Sequence, residues 1–353
     1  MAVDVYQRLA KHLDNLPGGY PTTKSGVELR ILRRLFTEEE AALAVNLTFI
    51  SEPVEVIADR VEGDVEEVSA QLEAMAKKGL LFRRRKGGVP LYSASQFVVG
   101  IWEYHVNDLD PELIHDVNEY LPHLFRPEQW REVPQLRTIP VGESVSVEHE
   151  ILVYEQAENL VRERARIAVA PCICRREHQM IGKGCDKPME TCLVFGTAAD
   201  YYVENGLGRY IDVDEALQIL QLAEETGLVL QPSNSQRIVN ICCCCGCCCQ
   251  VLLTLKRHPK PASLVSSPFV IASDPDICVG CGECVTRCQM EALSLVGDVA
   301  VPDLDRCIGC GLCVTTCTSG SLYLVRKPAE EQPEVPSSLA RTYIKLARAR
   351  GVL

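Results

Sequence analysis

An α+β fold is predicted, with three differently built regions along the chain. Three observations predict it. Residues 1–95 hold no cysteine and read as helix, helix, helix, hairpin. Residues 166–265 mix helical and extended stretches and carry eleven cysteines. Residues 268–326 form an internal repeat carrying the other eight of the chain's 19 cysteines. A length of 353 residues suits two or three domains with real cores. We expect domains at 1–95, 166–265 and 266–326, a connector at 96–165, and a linker with an amphipathic tail helix at 327–353.

The first region is read from local signals. Thr37 with Glu40 is a capping box opening the apolar run Ala41 to Val45. A second helix fits Pro53–Val61. A third fits Val65–Lys78, with Val65, Val68, Leu72 and Met75 on one face and Gly79 ending it. Strands at Leu80–Arg85 and Pro90–Ser93 flank a Lys86-Gly87-Gly88 turn. This order is that of a winged helix-turn-helix.

In the connector, Pro111, Pro122, Pro127, Pro134 and Pro140 are expected to break helical structure repeatedly. A strand is expected at Ile151–Tyr154 and a helix at Ala157–Arg164. Further on, Asp212, Glu215 and Gly227 bound a helix over Val213–Thr226. The tail, Ser337–Arg350, sets Arg341, Lys345, Arg348 and Arg350 around an apolar stripe. It either packs back on the protein or anchors an acidic partner.

Composition bounds the function. The net charge of −12 argues against nucleic acid and anionic membrane as partners. The start has no long apolar leader, and no apolar run approaches the length of a membrane span. The chain is therefore expected in the cytoplasm, where grouped cysteines point to metal rather than disulfides.

The repeat carries the most specific chemistry. Cys278, Cys281, Cys284 and Cys288 follow a C-x2-C-x2-C-x3-C spacing, repeated at Cys307, Cys310, Cys313 and Cys317. In this spacing a short loop offers three thiolates to one cubane, and the fourth cysteine ligates the other cluster. One [4Fe–4S] cluster is thus expected on Cys278, Cys281, Cys284 and Cys317, and a second on Cys307, Cys310, Cys313 and Cys288. Gly280, Gly282, Gly309 and Gly311 let the loops wrap closely. Ile277, Val279, Ile308 and Leu312 are expected to shield the clusters from water.

Residues 268–326 resemble the two-cluster bacterial ferredoxins, which implies low-potential one-electron transfer. The usual proline after each fourth cysteine is replaced by Gln289 and Thr318.

The middle region holds Cys172, Cys174, Cys185 and Cys192, then the run Cys242 to Cys249, interrupted only by Gly246. Seven cysteines in eight positions have no packing rationale. Alternating residues of an extended segment face opposite ways, so the run could feed two metal centres. The candidate ligands are Cys172, Cys174, Cys185, Cys192, Cys242, Cys244, Cys245, Cys247, Cys248 and Cys249. One or two further [4Fe–4S] clusters are expected here; a zinc site on Cys172, Cys174, Cys185 and Cys192 is the alternative. Arg175, Arg176, Lys183 and Lys187 would favour thiolates.

The segments CICRREH, GCDKP, ETCLVFG, EETGLV and ICCCCGCCC with the closing repeat resemble a family of 4Fe–4S dicluster proteins of anaerobic bacteria and archaea, as do FTEEEAALA and GGVPLYSASQFVVGIWEYH near the start. The resemblance implies iron–sulfur binding and this architecture. One departure is Cys243, where the family's run has a polar residue.

Two functions follow. The first is electron transfer between redox partner proteins, an oxidoreductase or flavoprotein, with the chain a carrier or subunit rather than an enzyme with its own substrate. The second is an iron–sulfur transcriptional regulator. Against the second, the candidate recognition helix carries Asp64, Glu66, Glu67 and Glu73 against Lys77 and Lys78. Its support is the winged helix at the front of an iron–sulfur chain and the basic run Arg83, Arg84, Arg85 and Lys86 in the hairpin.

Overall fold

In the computed structural model the chain forms two compact units, and residues 4–144, 152 and 155–353 are described. The first unit gathers residues 1–126, 197–210 and 343–353; the second gathers 127–196 and 211–342. The strand expected at Ile151–Tyr154 lies outside the described residues apart from Leu152.

The first unit follows its local signals closely. The Thr37 hydroxyl accepts the Glu40 N–H at 3.2 Å, and the Glu40 carboxylate accepts the Thr37 N–H at 2.8 Å, opening the helix Glu38–Ala44. The next helices are Val54–Val61 and Val65–Lys77, the latter capped by Asp64. Strand β1 (Glu52–Pro53) pairs with β3 (Val89–Ala94), which pairs with β2 (Leu81–Lys86). The helix Pro111–Leu124 departs from expectation, because it runs through Pro122. Pro111 sits at its first turn, where a missing N–H breaks no bond, and Pro122 falls in its last turn. In the tail helix Leu339–Ala349, Tyr343 meets Phe49 edge-on at 5.2 Å. Just beyond it, Arg350 reaches Asp14 at 2.8 Å. This end of the tail is packed onto its own unit.

The second unit is built on an antiparallel sheet. Strands β4 (Ile167–Pro171), β5 (Glu190–Phe195), β7 (Val229–Pro232) and β8 (Asn240–Cys244) pair in the order β4–β5–β8–β7, and the short strand β6 (Arg209–Ile211) falls at the boundary between the units. The helix Val213–Glu225 begins where Asp212 accepts the Glu215 N–H at 2.8 Å. The register places Ala170, Cys192, Cys242 and Gln231 in one row across the sheet, so their side chains share a face. Cys243 points to the opposite face, opposite Leu230 and inside an apolar core with Ile241 and Leu193.

The ferredoxin-like segment adds two small sheets, β9 (Phe269–Ser273) with β12 (Leu322–Arg326), and β10 (Leu293–Val296) with β11 (Val299–Pro302). The β9–β12 pair joins the two ends of the repeat. The preceding segment is threaded into the same unit: the Val141 N–H donates to the Cys310 carbonyl at 3.1 Å. Among the described residues, no helix is long and apolar enough to cross a membrane.

Candidate metal centres

All the cysteines but Cys243 fall into four groups. Cys288, Cys307, Cys310 and Cys313 line one small cavity, closed by Ile308, Leu312 and Met290. Cys288 thus joins the loop of the other half-repeat rather than its own. Cys281 and Cys317 lie close enough to Cys284 to act on its thiol electrostatically, and the Ala300 N–H donates to Cys278 Sγ at 3.4 Å. The Ala292 N–H donates to Cys288 Sγ at 3.2 Å. Such backbone donors stabilise thiolates and raise the potential of a cluster bound to them. Gly309, at φ +70°, is required by contact as well as conformation: a Cβ there would stand 2.3 Å from the Phe269 carbonyl oxygen.

Shielding is unequal. Ile308 and Leu312 are buried as expected, but Ile277 is 47% and Val279 68% exposed, and Cys281 is exposed. The expectation that all four apolar residues cover the clusters is corrected for the first loop, which lies at the surface.

The middle cysteines divide in a way spacing did not reveal. Strand β8 is extended only through Cys244, and the chain then turns. Cys245, Cys247 and Cys248 in the turn meet Cys185, with all four sulfurs within 4.8 Å of one another. Cys249, after the turn, returns to the other side. There a string of neighbouring thiols runs from Cys192 through Cys242, Cys244, Cys249 and Cys174 to Cys172. The alternative set Cys172, Cys174, Cys185 and Cys192 is therefore split, because Cys185 stands in the other group. Alternation along the run holds only for Cys242, Cys243 and Cys244.

Two eight-residue helices begin at the six-thiol group: Cys172 stands just before Ile173–Met180, and Cys249 just before Gln250–Arg257. Their positive ends favour anionic ligands. Contacts with Cys174 and Cys244, with the Leu252 and Val251 N–H groups, hold the Cys249 thiol well below its ordinary range.

Arg175 is wholly buried between the two middle groups. It donates to the Cys243 carbonyl at 3.1 Å, to Cys245 Sγ at 3.8 Å, and to the Thr191 hydroxyl. Burial alone would pull its pKa down; the thiols of Cys172, Cys245 and Cys244 outweigh that and raise it. A buried guanidinium fits groups whose thiols are ionised, as they are when bound to metal. Of the other expected cations, Lys187 donates to the Thr226 carbonyl and Lys183 is exposed.

Sequence reasoning missed one contact. Gln289, in place of the usual proline, accepts the Gly246 N–H on its side-chain oxygen at 2.8 Å. A Cβ on Gly246 would stand 2.3 Å from the Gln289 carbonyl oxygen. The substitution thus docks the cysteine run against the ferredoxin-like segment, and a proline could not make that bond.

The repeat and its grouped cysteines mark an iron–sulfur protein. Residues 270–323 match the family model of the 4Fe-4S dicluster domain. No curated protein and no solved structure matches the chain.

Proposed function

We propose that the protein carries single low-potential electrons between redox partners. [4Fe–4S] clusters would be held by Cys278, Cys281, Cys284 and Cys317, and by Cys307, Cys310, Cys313 and Cys288, with one further iron–sulfur cluster at the six-thiol group. When bound, such clusters supply one-electron redox chemistry. The observation that carries the reading is the gathering of Cys288 with Cys307, Cys310 and Cys313 around one apolar cavity, within the segment that matches the dicluster domain.

The chain's own residues supply the rest. Ile308 and Leu312 keep water from one site, while the exposed first loop gives a partner close approach at Cys281. Around that loop Ile277, Val279, Leu295 and Val296 are exposed, an apolar surface suited to docking a redox partner.

The first unit is read as a winged helix with a protein-docking role. Its hairpin cations support the regulator reading less than the sequence suggests. Arg83 is buried and bonded to Glu73 and Glu204, and Arg85 pairs with Glu204 at 3.2 Å. That leaves fewer charges for phosphates.

The test is reduction of the anaerobically purified protein followed by mixing with a viologen or flavoenzyme acceptor. Transfer of electrons at low potential is expected. No transfer to any such acceptor overturns the reading. A salt-sensitive, oxidation-state-dependent gel shift on promoter DNA would favour the regulator instead.

A further inference from the structure

The thiols of Cys185, Cys245, Cys247 and Cys248 are packed more tightly than a cluster requires. All four lie within 4.8 Å of one another. Cys185 is 3.9 Å from Cys245, Cys248 is 3.7 Å from Cys185, and Cys248 is 3.8 Å from Cys247. Four thiolates held about 2.3 Å from one tetrahedral ion stand about 3.8 Å apart, by the geometry of the tetrahedron. A cubane spreads its four thiolates further, because each is bound outward to a different iron.

The same chain supplies the comparison. Among the described residues, neither the ferredoxin-like thiols nor the six-thiol string forms so tight a group. The compact set is therefore a property of this site, not of cysteine-rich regions of the protein in general.

We propose that Cys185, Cys245, Cys247 and Cys248 bind a single tetrahedral metal ion, zinc, rather than an iron–sulfur cluster. An all-thiolate tetrahedron with no open position is the donor set of structural zinc. Four thiolates around a divalent cation carry net negative charge, and the Arg175 guanidinium at Cys245 offsets part of it. The ion joins the loop holding Cys185 to the turn after β8. That turn separates Cys242 and Cys244 from Cys249, so fixing it sets the spacing of three thiols in the neighbouring group. The assignment is independent of the electron-transfer reading, which the viologen experiment tests through the other groups.

The experiment is metal analysis and zinc-edge X-ray absorption on the full chain purified without oxygen. About one zinc per chain is expected, in a single sulfur shell at about 2.3 Å with no metal–metal distance. Cys247→Ser, at an exposed ligand, should release that zinc and leave iron and sulfide unchanged; Cys185→Ser should do the same. Absence of zinc from the unaltered protein overturns the proposal. So does loss of about four irons with matching sulfide in Cys247→Ser. If either variant fails to fold, the spectrum of the unaltered protein decides.

Discussion

The buried Arg175 guanidinium donates to the Cys245 sulfur at 3.8 Å. Arg175 also feels Cys172 and Cys244, so one cation serves both middle thiol groups. Arg175→Gln removes charge from both at once. Groups that support metal ligands in this way are worth 10- to 100-fold in metal affinity, roughly. We expect a loss of that order, read by competition with a chelator. Arg175→Lys should restore little, because an ammonium cannot reach the Cys243 carbonyl, Cys245 and Thr191 with one fork.

Cys288 is expected to act with the distant loop rather than its own. Cys288→Ala and Cys310→Ala should each abolish the same cluster signal in electron paramagnetic resonance, with loss of about four irons. Cys281→Ala should abolish the other signal. If Cys288→Ala and Cys281→Ala remove the same signal, the grouping around the Ile308 cavity is wrong.

Cys243 and Cys249 separate packing from ligation within one run. Cys243 faces the apolar core, where Cys243→Ala should cost about 1 kcal/mol and leave iron content unchanged. Cys249→Ala should lower iron content, because its thiol stands between those of Cys174 and Cys244. Iron and sulfide analysis of the two variants checks this; equal iron loss in both would contradict it.

The first unit should weaken in mild acid. Burial pulls the His12 and His105 imidazoles below their ordinary range, and His105 Nδ1 is held 2.7 Å from the Ile101 carbonyl oxygen. Below about pH 6.5 the unfolded chain therefore binds more protons than the folded one. The stability contributed by these neutral imidazoles is full above that pH and falls as pH drops toward their folded values. Melting temperatures between pH 7.5 and 5 should decline, with a shallower slope in His105→Gln. An unchanged slope would count against this account of His105.

Much of the first unit was legible because its signals are local. The Thr37–Glu40 box, the Asp64 cap and the glycine turn at 87–88 act over a few residues, and each closes where its sequence says. Pro122 departs from its spacing because the helix forgoes the one N–H bond that proline cannot make, while Val117, Tyr120, Leu121 and Leu124 stay buried on its packed face.

The eight-cysteine repeat and the candidate metal ligands of the middle region were legible along the chain. Thiolates at fixed short spacing are a local constraint, and seven cysteines in eight positions mark the run as a candidate for metal. Which thiols meet depends on contacts between distant segments. The β5–β8 register sets Cys192 beside Cys242, and the turn after Cys244 sends Cys245, Cys247 and Cys248 to Cys185 while Cys249 goes the other way. Ligand sets drawn from distant segments depend on strand register and on where extension ends. Both are settled by packing across the sheet, not by spacing along the chain.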